Sequence, residues 1–257
     1  MPFKEINGLA IYYEIHGYGD TMVLLHHGFG CTKMWRDIYR GFVEKGYRVI
    51  MYDRRGYGQS ERGNDFEEFY VCDEFRLDSV NEMNQLMDIL QIDSFHLVGQ
   101  CEGGVIGIDY AAAFPTRVKT ITTSSTQCYS EIPMSQFNSQ KFPHAFQALS
   151  HGQRQKFIEW HGVDFAETLY NQFRRYGGAY GRGIFDLRSQ LPNVLCPSLV
   201  LYPDRSFLFN VEQGVAFYRH LPRGELSVLP NCGHNTYEHR PKEYIRCVLN
   251  FLKRHSF

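Results

Sequence analysis

The stretch Gly99-Gln100-Cys101-Glu102-Gly103-Gly104 constrains this chain more than any other. The apolar run Phe95-His96-Leu97-Val98 precedes it, and a helical run from Val105 to Phe114 follows. A strand that passes into a helix through so few residues must turn sharply, and only small residues around the apex let the two backbones pass that closely. The apex side chain is pushed outward, which makes Cys101 a candidate nucleophile. A lone cysteine after an apolar run also suits plain packing, because cysteine is among the most buried residue types. The rest of the chain decides between the two.

The flanking sequence alternates strand and helix patterns. Leu9 to Ile15 alternates in polarity and Met22 to Leu25 is a short apolar run, and Gly17-Tyr18-Gly19-Asp20 between them predicts a β-hairpin. The glycine-rich loop His26-His27-Gly28-Phe29-Gly30 comes next, then a helix over Trp35 to Glu44, ended by Gly46, and a buried strand over Arg48 to Tyr52. Glu61 to Asp73 mixes acids with Phe66, Phe69 and Tyr70 and reads as a surface excursion. In Glu74 to Leu90, residues Leu77, Val80, Met83, Met87 and Leu90 recur at helical spacing, with the methionines as core packing. Val118 to Thr123 is another strand. Such alternation demands right-handed crossovers and a mostly parallel sheet.

From Cys128 to about Asp186 the pattern changes to a segment rich in Phe, Tyr, Gln and His, with no clear strand and too many residues for a bare loop. Ser198 to Tyr202 and Glu225 to Leu229 then read as strands joined by a helix over Val211 to Leu221. Asn231-Cys232-Gly233-His234 follows the last strand, ahead of an amphipathic helix over Tyr244 to Leu252.

Four of these segments resemble the α/β-hydrolase superfamily. They are the Gly-x-Cys-x-Gly-Gly elbow, the His-Gly loop at His27-Gly28, the segment Asp53-Arg54-Arg55-Gly56-Tyr57-Gly58-Gln59-Ser60, and the terminal Gly233-His234 turn. The resemblance covers essentially the whole chain. It implies an α/β-hydrolase fold, a mostly parallel central sheet flanked by helices, with core residues 1–127 and 187–257 and a helical cap over 128–186. It also implies roles: Cys101 as nucleophile, His234 as general base, and the N–H groups of Phe29 and Glu102 as oxyanion donors. The Asp53 to Ser60 segment is structural.

The third catalytic member departs from the pattern. The usual acid position falls on Ser206 and a rarer one near Ser125, neither a carboxylate. Asp204, two positions early, is the nearest acid and the candidate orienting residue, with a Cys-His dyad as the alternative. Asp186 receives no catalytic role. The Glu102 carboxylate would raise the thiol pKa if it pointed inward, so it is read as facing away.

Composition narrows the partners. Charge is nearly balanced, at 27 basic against 28 acidic residues, with no basic run for nucleic acid or an anionic membrane. No segment approaches the roughly 18 uninterrupted apolar residues of a membrane span, and no leader pattern opens the chain, so a cytoplasmic setting is expected. Seven cysteines without a Cys-x-x-Cys pair form neither a disulfide framework nor a zinc site. The chemistry needs no metal or cofactor. The elbow is similar to those of dienelactone hydrolases and polyhydroxyalkanoate synthases, which implies a cysteine-dependent acyl hydrolase cleaving a small ester, lactone or thioester. Acyl transfer from the same acyl-enzyme and a ligand receptor without turnover are the alternatives. Oligomeric state stays open.

Overall fold

The computed structural model describes residues 2–255. Eight strands form one sheet: β1 (Phe3–Ile6), β2 (Leu9–His16), β3 (Asp20–Leu25), β4 (Tyr47–Tyr52), β5 (Phe95–Gln100), β6 (Val118–Ser124), β7 (Ser198–Pro203) and β8 (Gly224–Leu229). Their order is β1-β2-β4-β3-β5-β6-β7-β8, antiparallel in the first two pairings and parallel from β4 onward. Among the described residues ten α-helices connect or flank them: α1 (Tyr39–Val43), α2 (Phe66–Val71), α3 (Phe75–Ile89), α4 (Glu102–Ala113), α5 (Met134–Lys141), α6 (His151–His161), α7 (Ala166–Tyr176), α8 (Glu212–His220), α9 (Thr236–His239) and α10 (Pro241–Arg254).

The central strands are buried on both faces, so their sequences read as continuous apolar runs. Alternate residues nonetheless divide between two cores. Val23, Leu25, Leu97 and Val200 join Met83 of α3, Val105 of α4 and Phe217 of α8 on one side, whereas Met22, Leu24, Val98 and Leu199 join Phe42 of α1 and Val248 of α10 on the other. Among the described residues no helix is long and apolar enough to cross a membrane.

Four local expectations change. β2 and β3 do not form a hairpin: β4 is inserted between them, pairing Tyr13 with Tyr52 on one edge and Leu24 with Met51 on the other. The hairpin is instead β1–β2, closed at Asn7-Gly8, where both residues have positive φ. Trp35 to Glu44 is not one helix but a 3-10 turn over Thr32–Trp35 followed by the short α1. Phe66, Phe69 and Tyr70 are no loose excursion, since their i, i+3, i+4 spacing makes the buried face of α2. Leu77 falls at the edge of the α3 face that Val80, Met83 and Met87 bury, and it is exposed.

Between β6 and β7 the chain leaves the sheet and builds α5, α6 and α7 over the ends of the parallel strands. Ser150 and Gln153 form a capping box that starts α6, and Gly177 in the left-handed conformation ends α7. A β-bridge from Tyr129 to Asp186 ties the two ends of this excursion together. The Asp186 carboxylate pairs with Arg188 there, away from the elbow.

Candidate active site

Cys101 stands between β5 and α4 with φ 52° and ψ −116°, a conformation that side chains rarely adopt. Its backbone N–H donates to Ser124 O at 2.7 Å, and Thr126 Oγ1 donates to its carbonyl at 3.1 Å. A Cβ on Gly99 would run into the backbone of Gly103, and one on Gly103 into the carbonyl of Leu25. The glycines are therefore required by the close crossing of strand and helix, as the spacing implied.

The thiol opens into a cavity of about 390 Å³ beneath α5 to α7, shared with His234, Tyr180, Phe29, Trp160, Phe173 and further aromatic side chains. Phe29 is the centre of an aromatic cluster, 4.1 Å from Phe173 and 5.4 Å from Tyr170 between ring centroids. Gly28 makes this possible, because any side chain there would meet the Phe173 ring.

His234 lies on the loop after β8. Gln100 Nε2 and Ser125 Oγ both donate to its carbonyl, at 2.9 and 2.7 Å, so the residue before the nucleophile also clamps the histidine backbone. Neither was singled out from sequence as a positioning group. The imidazole packs against Phe207 and Phe209. Burial pulls His234 down to about 3, with a smaller push from His239.

Nδ1 of His234 meets Ser206 Oγ at 3.1 Å. Asp204 is not there. Its carboxylate accepts the Cys232 N–H at 2.9 Å and faces Arg205, and its own N–H continues the ladder to Leu229 O. Asp204 thus caps the turn after β8, and the register of β7 carries position 206 to the imidazole.

Cys101 and His234 line one cavity, but no hydrogen bond joins them. Sγ is bonded instead to the Tyr180 hydroxyl at 3.5 Å. Burial pushes the thiol up to about 12; the Tyr180 bond opposes this, the Glu102 charge adds to it, and the Glu102 N–H and Arg54 act downward. At neutral pH the site therefore holds a neutral thiol and a neutral imidazole, not an ion pair.

Of the two oxyanion donors, the Glu102 N–H lies at the start of α4 beside the thiol. The Phe29 N–H donates to His27 Nδ1 at 3.1 Å, while Nε2 of that half-buried, neutral ring meets Tyr237 Oη at 3.1 Å. His161 of α6 braces the same loop, with Nε2 at 3.1 Å from Phe29 O and Nδ1 accepting the Gly58 N–H at 3.0 Å.

The Glu102 side chain is fully buried and does not line the cavity. It accepts from Arg54 Nη2 at 2.5 Å, from the Ala179 N–H at 2.7 Å and from Tyr57 Oη at 3.4 Å. Arg54 comes from the Asp53 to Ser60 segment, where Asp53 accepts the N–H groups of Thr32 and Gln59. All seven cysteines are free thiols, and among the described residues no cluster of three or more His, Cys, Asp or Glu side chains is placed to hold a metal.

The sheet order, the strained elbow and the histidine after the last strand define an α/β-hydrolase architecture. Residues 20–179 match the model of the alpha/beta hydrolase fold, and the chain belongs to that family. It is 34% identical over 119 residues to a 2-hydroxy-6-oxo-6-phenylhexa-2,4-dienoate hydrolase of Comamonas testosteroni, covering 45% of this chain and 39% of that one. To the enzyme of the same name from Burkholderia cepacia it is 23% identical over 273 residues, 97% of this chain and 93% of the relative. Among solved structures, the enol-lactonase of Burkholderia xenovorans LB400 superposes with a TM-score of 0.78 at 20% identity, covering 98% and 100% of the two chains. An alpha/beta hydrolase from a Medee basin deep-sea metagenome library gives 0.79 at 23%, covering 98% and 97%.

Proposed function

We propose that this chain is a hydrolase of a small substrate carrying a flat apolar group beside an ester, lactone or thioester carbonyl, and that it acts through an acyl-Cys101 intermediate. The observation that carries this reading is the opening of the strained Cys101 into an aromatic cavity that His234 also lines. The full-length relative acts on a phenyl-bearing dienoate and a structural neighbour on an enol-lactone, by their names. Both accord with a ring-shaped apolar pocket next to a carbonyl.

In the proposed reaction the Sγ proton passes to His234 as sulfur bonds to the acyl carbon. The carbonyl π pair moves to oxygen, facing the Glu102 N–H, and returns as the leaving group departs with a proton from His234. Water then attacks the thioester, giving a proton to His234, and the C–S bond breaks to restore the thiol. Acceptance of the acyl group by an alcohol or thiol would follow the same steps with water excluded.

A second reading, a ligand receptor without turnover, draws support from the Phe29 N–H, which is spent on His27 instead of facing the cavity. One experiment separates them. Intact-protein mass is measured after brief mixing with activated aryl and alkyl esters and acyl thioesters, beside Cys101→Ala. An adduct confined to the wild type, followed by its decay, supports the hydrolase; ligand retention without adduct or product supports the receptor.

A further inference from the structure

The oxygen of Ser206 meets three groups: the N–H of Leu208 at 3.2 Å, the N–H of Phe209 at 3.1 Å and Nδ1 of His234 at 3.1 Å. A hydroxyl has two acceptor lone pairs and one hydrogen. The two backbone N–H groups can only donate, so they take the lone pairs. The hydroxyl hydrogen has one remaining partner, Nδ1. A neutral imidazole carries a single N–H, and when Nδ1 accepts, that hydrogen sits on Nε2. Burial keeps the ring neutral at physiological pH.

We infer that Ser206 holds resting His234 as its Nε2–H tautomer, so that the imidazole presents the cavity with a hydrogen-bond donor where a base would be needed. A carboxylate at the same place would do the reverse, accepting from Nδ1–H and leaving Nε2 free to take a proton. No hydrogen bond joins Cys101 and His234. Tyr180 occupies the sulfur instead.

The consequence reaches the chemistry. Before His234 can receive the thiol proton, the proton on Nε2 must leave and another be held on Nδ1, which requires the Ser206 hydroxyl to turn away from the ring. The backbone cannot relieve this, because Gln100 and Ser125 clamp the His234 carbonyl. Ser206 is therefore a positioning residue that sets the resting site for binding: Nε2–H awaits an acceptor oxygen on the ligand, a carbonyl or an enolate, and acylation is slow. This kinetic consequence rests on the acyl-Cys101 reading; the tautomer does not.

The test uses the full chain labelled with ¹⁵N-histidine. Long-range ¹H–¹⁵N correlation at pH 7, with His234 assigned from its loss in His234→Gln, distinguishes a pyridine-like from a pyrrole-like nitrogen at each ring position. The expected result is a pyridine-like Nδ1 and pyrrole-like Nε2 in the wild type, reversed in Ser206→Asp. Single-turnover acylation by p-nitrophenyl benzoate, read by mass, should then rise about tenfold or more in Ser206→Asp. A pyrrole-like Nδ1 in the wild type overturns the assignment, and that spectrum decides it whatever the variant does. A reversed tautomer with unchanged acylation overturns the claim that the tautomer limits the rate. The expected nitrogen pattern with no acylation of either chain sustains the tautomer and strikes out Cys101 as nucleophile.

Discussion

The Tyr180 hydroxyl, and not the imidazole of His234, is the hydrogen-bond partner of Cys101 Sγ, at 3.5 Å. Tyr180 is buried against the elbow, which holds its phenol well above the usual range, and it stays protonated throughout. As sulfur gains charge the contact becomes a charge-assisted bond of about 1.5–3 kcal/mol. Tyr180→Phe should therefore slow alkylation of Cys101 by iodoacetamide by about tenfold at pH 8, one unit of thiol pKa. Equal rates would remove Tyr180 from any account of the nucleophile.

Tyr180 is placed by the buried pair beneath the elbow. Glu102 accepts the Ala179 N–H, and Arg54 balances its charge. Removing one partner from such a pair costs about 3–5 kcal/mol because the other charge is left buried alone. Arg54→Met should lower the urea midpoint accordingly, and Arg54→Met with Glu102→Leu should regain much of the loss. A single variant as stable as the wild type would show that the pair contributes nothing.

Asp204 touches the turn after β8 and not the imidazole. Asp204→Asn retains an acceptor for the Cys232 N–H, so turnover should stay within about threefold of wild type. A tenfold or greater fall in kcat with an unshifted unfolding midpoint would return Asp204 to the catalytic group.

Acid should destabilise the fold through its buried histidines. Burial holds His26, His27, His96, His161 and His234 below the ordinary value of 6.5. Below that pH the unfolded chain binds protons that the native state refuses, so stability falls as pH falls. Burial also raises Asp53 to about 6, Glu82 to about 7 and Asp109 above its ordinary value, and these act oppositely by holding protons that the unfolded chain has released. Five groups outweigh three, and each net proton changes stability by at most about 1.4 kcal/mol per pH unit. The urea midpoint should accordingly be lower at pH 5 than at pH 7, and a midpoint that rose toward acid would contradict the burial of these rings in neutral form.

Much of this architecture is legible without coordinates. The glycines around Cys101, the Asp53 to Ser60 segment and the Gly233-His234 turn are local necessities: a sharp crossing admits only small residues, and buried parallel strands must be continuously apolar. Those demands act between chain neighbours, so they leave their mark in the linear sequence. What tertiary structure decided are contacts between residues far apart in the chain. Whether β4 enters between β2 and β3 depends on which strand edges are available. Whether position 204 or 206 faces His234 depends on how two strand ends lie side by side. The meeting of Tyr180 with Cys101, 79 positions apart, is set by the return of the chain from α7 over a buried Glu102. Spacing along the sequence records none of these, because the hydrogen bonds and burial that select them exist only once the elements have packed.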